Sequence, residues 1–213
     1  MGTADPPRQT TDERPIAAFD FDGTLTVEDS FMAFLRRRAG PVRYALGMAR
    51  LAPHALAYLA HRDRGRLKAA AVAEFLRGLT REELAASAEA FAEAAWPRLM
   101  RPDALAAWRD WQGRGVCMVI VTASPEEVVA PFAARLGADV LLGTRLAWDA
   151  EGRVEGAFAG ENCRAAEKVV RLKARFGPDV RLAAAYGDTS GDHEMLQIAD
   201  QPGYRVFTGR PDG

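Results

Sequence analysis

Three short apolar runs, each stopping at a polar residue, limit what this chain can fold into. Ile16–Phe19 stops at Asp20, Val116–Val121 at Thr122, and Leu182–Tyr186 at Gly187-Asp188. Runs of this length without polar alternation suit strands buried on both faces. Helical periods lie between them. Pro102–Gln112 opens on a proline, Pro125–Leu136 carries apolar residues at 128, 129, 132 and 136, and Arg164–Phe176 repeats the period at Val169, Leu172 and Phe176. Strands alternating with helices predict an α/β fold, a doubly wound parallel sheet with right-handed crossovers. Such sheets bind ligands beyond the carboxyl ends of their strands, so Asp20, Thr122 and Asp188 are expected at one crevice.

The alternation breaks between residues 31 and 96, which read as helix throughout. Ser30–Ala39, Val42–Ala60 and Leu67–Leu76 come first. Thr80 with Glu83 three residues on then forms a capping box ahead of Leu84, Ala88, Phe91 and Ala95. A helical block between the first two strands predicts an inserted cap, residues 31–96, on a core of residues 15–30 and 97–213. Residues 1–14 are polar, without an apolar signal region, and read as a disordered leader. Asp139–Phe158 alternates and turns at Ala150-Glu151-Gly152, which predicts a hairpin at the sheet edge.

The chemistry concentrates after the first and last runs. Asp20-Phe21-Asp22-Gly23-Thr24 places two carboxylates two residues apart at a strand end. One can attack phosphorus while the other gives a proton to the leaving oxygen. A solvated turn is the bland alternative. Tyr186-Gly187-Asp188-Thr189-Ser190-Gly191-Asp192 adds two more acids after a second strand. Mg²⁺ is usually held by one or two carboxylates plus phosphate oxygens and water, a role for Asp20 and Asp188, with Asp192 orienting from behind. His54, His61 and His193 lack metal-ligand spacing, and the four tryptophans read as packing.

With these motifs in their order, Phe19-Asp20-Phe21-Asp22-Gly23-Thr24-Leu25-Thr26, Val121-Thr122-Ala123-Ser124, a lysine within Cys163–Lys168, and Gly187-Asp188 to Asp192, the chain resembles the haloacid dehalogenase superfamily. The resemblance runs from about Pro15 onward and is to the phosphoserine-phosphatase-like branch with a helical cap. It implies that Asp20 is nucleophile and metal ligand. Asp22 would be general acid and then base, with its carbonyl on the metal. Thr122 and the Ala123 amide would bind the phosphoryl group, and Lys168 would neutralise it. Arg164, one helical turn from Lys168, is the alternative cation, since phosphoserine phosphatases carry their lysine nearer that position. A compact ammonium suits a buried phosphoryl site better than a guanidinium fork.

The expected activity is Mg²⁺-dependent hydrolysis of a small phosphate monoester through an aspartyl-phosphate. A catalytically inactive binding module is the reading from another class, and it would be expected to lose Asp20, Asp22 or Asp188. Asp29 and Ser30, where the cap begins, are candidate substrate contacts or simple helix caps. Phosphoserine phosphatases carry an arginine in the middle cap helix, and the matching stretch here, Ala70-Ala71-Val72-Ala73, has no charge.

A net charge of −1 offers no basic field for nucleic acid. Two cysteines, Cys117 and Cys163, make no disulfide framework and suit a reducing, cytoplasmic setting. Charge is nonetheless uneven: between Phe31 and Lys68 nine basic residues stand against one acid, Asp63. Arg43, Arg50, His54 and His61 share one helical face of an apolar stretch, which Pro53 would kink. That pattern fits an anionic membrane surface at the inner face and a lipid phosphate substrate. It also fits a face packed within the cap, with arginines that are solvated or meet a small anionic substrate.

Overall fold

In the computed structural model, which describes residues 14–61 and 64–211, a five-stranded parallel sheet has the order β3-β2-β1-β6-β7. The strands are β1 (Ile16–Phe19), β2 (Cys117–Pro125), β3 (Val140–Thr144), β6 (Leu182–Gly187) and β7 (Ala199–Tyr204). Every pairing within it is parallel, with Ala18 opposite both Val119 and Ala185. Strands β1 and β2 are buried along nearly their whole length, because helices cover both faces. The chain runs from β1 outward to β2 and β3 on one side, then crosses to β6 and β7 on the other, so the switch point lies at the carboxyl ends of β1 and β6.

Helices α4 (Pro102–Gly113) and α5 (Glu126–Leu136) pack on the face where Phe19 meets Trp108 with ring centroids 5.0 Å apart. The indole of Trp108 donates to the Leu136 carbonyl, which joins the two helices. Helices α6 (Ala166–Phe176) and α7 (His193–Gln197) belong with the second cluster, around Leu172, Met195 and Val119.

Three long helices follow the first strand: α1 (Ser30–His61), α2 (Arg64–Phe75) and α3 (Arg81–Leu99). Gly40, at φ 71° and ψ 167°, breaks α1 ahead of Pro41, which separates the two helical stretches the sequence implies. The Thr80–Glu83 capping box is present at the start of α3. None of the described helices is long and apolar enough to cross a membrane.

Asp139–Phe158 departs from expectation. Its first part, β3, joins the main sheet parallel to β2. Only β4 (Leu146–Trp148) and β5 (Val154–Phe158) form an antiparallel hairpin, and it is a separate two-stranded sheet. The link between α2 and α3 holds that hairpin: Gly78 N–H donates to the Val154 carbonyl, and Val154 N–H to Leu79. Apolar alternation registers a half-buried strand but not which partner covers it. The edge strand β7 was not anticipated. Its polar, proline-containing sequence Ala-Asp-Gln-Pro-Gly-Tyr suits an edge and carries little apolar signal. Residues 1–13 of the expected leader, with Arg62 and Asp63 of the basic cap segment, lie outside the described residues.

Candidate active site

Asp20 closes β1, and the chain turns sharply through Phe21–Leu25. Phe21 is fully buried and meets Phe132 edge-on, 5.3 Å between centroids. The carboxylates on either side of it, Asp20 and Asp22, line the cleft beyond the sheet. Gly23 adopts φ +83°, and a Cβ there would stand 2.3 Å from Asp188 Oδ2. The motif thus needs glycine twice over, for its backbone and for the space that brings Asp188 close.

Lys168 rises from the first turn of α6 into the same place, 1% exposed. Its Nζ donates at 2.6 Å to Asp20 Oδ1, to Asp192 Oδ1 and to the Val121 carbonyl. All three protons of the ammonium are used. Asp192 is equally committed, because its Oδ2 accepts from the Asp188 and Thr189 amides and the Thr189 hydroxyl. Arg164 lies elsewhere on the cleft wall, donating to the Ser190 hydroxyl at 3.0 Å. The expected shared helical face is not formed, because α6 begins only at Ala166, after Ala165 at φ 55°, and leaves Arg164 outside the helix; only Lys168 reaches Asp20.

These charges shift one another's proton affinity. Burial pushes Asp20 up to about 7, against the opposing charge of Lys168. Burial would lower Lys168, but Asp20 and Asp192 outweigh it and hold the ammonium above its ordinary value. Burial would raise Asp192, and Lys168 with the Thr189 hydrogen bonds brings it below the usual carboxylate range. Asp188 is raised by burial and by the neighbouring charge of Asp192.

A cation fits between these groups. Asp20, Asp188 and Asp192 can each offer one carboxylate oxygen, all within 4.8 Å of one another. The hydrogen bonds on both Asp192 oxygens leave Asp20 Oδ2 and Asp188 as the more available pair. Thr24 Oγ1 stands 3.3 Å from Asp188 Oδ1 and 3.5 Å from Asp20 Oδ2, beside the same oxygens. All-oxygen donors of this kind suit Mg²⁺ rather than a soft metal.

Asp22 is gripped at both oxygens. The Ser124 hydroxyl donates to Oδ2 at 2.5 Å, and the Ser30 amide, opening α1, donates to Oδ1 at 2.7 Å. Ser30 thus serves through its backbone. Its own hydroxyl is buried and has no hydrogen-bond partner. Asp29 caps the Met32 amide at 2.9 Å and lines the cleft, raised by burial and by the charge of Asp22. Thr122 is fully buried, its hydroxyl accepting from the Ser124 amide at 3.1 Å, while Ala123 lines the cleft.

Sequence reasoning gave no role to Ser124 or Thr24, although both stand inside the motifs. It also counted Lys68 only as surface charge. Lys68 instead enters the cleft from α2, 3.4 Å from the Ala123 carbonyl and 3.9 Å from Asp29 Oδ2. The uncharged stretch at residues 70–73 is real, but the helix brings in a cation two positions earlier. Arg43 and Arg50, expected on a basic stripe, both pair with Glu74 of α2, at 2.6 and 3.0 Å.

Residues 17–197 match a family model described as haloacid dehalogenase-like hydrolase. Protein CicA of Caulobacter vibrioides strain NA1000 is 61% identical over 196 residues, covering 92% of this chain and 88% of that protein. Among solved structures, a protein of unknown function from Bordetella pertussis Tohama I superposes with a TM-score of 0.74 at 25% identity. That match covers 89% of this chain and 88% of the other. A substrate-bound phosphoserine phosphatase shares the fold, with a TM-score of 0.60 at 18% identity over 90% of this chain and 86% of that one.

Proposed function

The chain belongs to the haloacid dehalogenase-like hydrolase family, and on that premise we propose that it is a Mg²⁺-dependent phosphomonoesterase working through an aspartyl-phosphate on Asp20. The observation that carries this reading is the seat of Asp20, with one oxygen on Lys168 and the other facing Asp188. A carboxylate so placed has its attacking oxygen fixed and its charge balanced. Asp20 and Asp188 would hold the ion, which when bound neutralises charge on the phosphoryl oxygens.

An Asp20 oxygen attacks phosphorus, and the bond from phosphorus to the ester oxygen breaks. Asp22, carrying a proton, gives it to that leaving oxygen, and the alcohol departs. Asp22 then takes a proton from water as the water oxygen attacks phosphorus, the bond to Asp20 breaks, and inorganic phosphate leaves. The grip of Ser124 and Ser30 on Asp22 supports this double role, because a general acid must be aimed before substrate arrives. Lys168 balances the charge of Asp20 between turnovers and that of the phosphoryl group during them. Thr122 and the Ala123 amide complete the phosphate contacts in this reading.

Beryllofluoride with Mg²⁺ tests it directly. The adduct should form on Asp20 and should be lost in Asp20→Asn together with phosphate release. Turnover persisting in Asp20→Asn would remove Asp20 as nucleophile.

A second reading, a lipid phosphatase at an anionic membrane surface, draws on α1. Val42, Leu46 and Leu56 are 72, 53 and 67% exposed and share one helical side. Against it stands the pairing of Arg43 and Arg50 with Glu74, which spends two of the cations that would meet lipid. Vesicle flotation separates the two: binding to phosphatidylglycerol vesicles but not to neutral ones favours the lipid reading.

A further inference from the structure

The cleft above Asp20 has about 550 Å³ of space, ample for a small molecule. A phosphoryl group would occupy only its floor, so most of the volume must take the alcohol that leaves. The wall facing that volume comes from the cap: Met32, Met48 and Leu51 of α1, and Leu67 and Ala71 of α2. All five are apolar. Leu51 and Ala71 are 5 and 3% exposed, whereas Met48 keeps 37%, so the wall runs from the interior to the mouth of the cleft.

The cap brings one lysine into this wall, Lys68, and it faces Asp29. Glu28 lines the same cleft. Arg164 also lines the cleft, but its guanidinium is bonded to the Ser190 hydroxyl. A second anion on the leaving group would have to draw Lys68 from Asp29 while lying near Glu28, or Arg164 from Ser190, which costs desolvation for little gain. An apolar body meets no such obstacle, and methionine side chains adapt to its shape.

Resting on the phosphomonoesterase reading above, we infer that the substrate is the phosphate monoester of an uncharged alcohol with an apolar body, seated against Met32, Met48, Leu51, Leu67 and Ala71. Its phosphate sits on the charged floor and its carbon skeleton against the cap.

The test is a series of n-alkyl monophosphates from methyl to octyl, in solution below micelle formation with Mg²⁺, beside O-phosphoserine and glycerol phosphate. The value of kcat/KM should rise by about fourfold per methylene until the wall is covered, corresponding to about 0.8 kcal/mol per buried CH₂. The rise should fall on KM, since the chain binds alike in ground and transition states. Met48→Gln and Leu67→Gln should each flatten the slope. Phosphatidic acid in phosphatidylcholine vesicles forms the second arm. A gain in the soluble series assigns a soluble apolar ester, and turnover of vesicle substrate alone assigns a membrane lipid. A flat or falling series with no vesicle turnover, or a preference for O-phosphoserine that Lys68→Ala abolishes, overturns the inference. Failure of the underlying reading looks different: no ester is hydrolysed and no beryllofluoride adduct forms on Asp20.

Discussion

The two sides of the cleft are built on opposite principles. On the core side the charges behind the open Asp20–Asp188 pair are committed: Lys168 donates three times at 2.6 Å, and Asp192 accepts at both oxygens. On the cap side the lining is mainly methionine, leucine and alanine, and cap ion pairs such as Arg50 with Glu74 face solvent. Phosphoryl transfer needs charges held still, because most of its catalysis is positioning and electrostatics. The part of a substrate that does not react needs only a surface of suitable shape. In the proposed function, one side would fix the reaction and the other would choose the ester.

The largest expected effect lies on the core side. Asp20→Asn should cut turnover on the order of 10⁴-fold or more, in line with loss of a nucleophile elsewhere, with near-native circular dichroism. The same variant reports on the strain of burying that carboxyl. An unfolded chain releases this proton near 3.8, while the folded, metal-free protein holds it to about 7. Between those values the folded state binds more protons, so stability falls as pH rises through the window. The raised values of Asp188 and Asp29 act in the same direction. Denaturant midpoints with a chelator should drop from pH 5 to pH 8 in the wild type, and less in Asp20→Asn.

Lys168→Ala comes next. It leaves Asp20 and Asp192 buried without their counter-charge, and loss of one partner from a buried pair costs about 3–5 kcal/mol. Urea unfolding measures that cost. A change under about 1 kcal/mol would mean that water reaches the site and the contrast with the cap is overdrawn.

Asp192→Asn should raise the Mg²⁺ needed for half-maximal activity by about 10–100-fold, although this residue need not touch the ion. An unchanged Mg²⁺ titration would detach Asp192 from the metal site. Ser124→Ala should slow alkyl phosphates by roughly tenfold, less than the about 100-fold or more that general acid–base catalysis contributes, because Asp22 itself remains. It should slow p-nitrophenyl phosphate less, since that leaving group needs little protonation. Equal slowing of both would give Ser124 a packing role instead.

The smallest effect belongs to the cap. Glu74→Ala removes the partner of Arg43 and Arg50, and exposed pairs are worth about 0–1 kcal/mol. A loss well above that, by thermal unfolding, would show the cap relying on fixed charge as the core does.

Much of this was legible in the sequence because it is local. The ends of β1 and β6 just before Asp20 and Asp188, the capping box at Thr80 and the break at Gly40-Pro41 each follow from neighbours in the chain, whereas β2 runs on past the expected stop at Thr122 to Pro125. The hairpin was misplaced because alternation names a strand's two faces and not its partner. Strand β7 escaped because an edge strand tolerates a sequence with almost no apolar pattern.

What the sequence determined by itself was the alternation of the three buried strands with helices, the helical block between the first two, and the acids after the first and last, since periodicity and motif spacing are properties of the chain. Tertiary structure set Lys168 against Asp20 and Arg164 against Ser190, brought Ser124 against Asp22 across 102 positions, and turned Lys68 from the surface into the cleft. Each of those outcomes depends on how far a side chain reaches from its own helix or strand to another. That distance is set by how the elements pack, and no pattern along one segment records it.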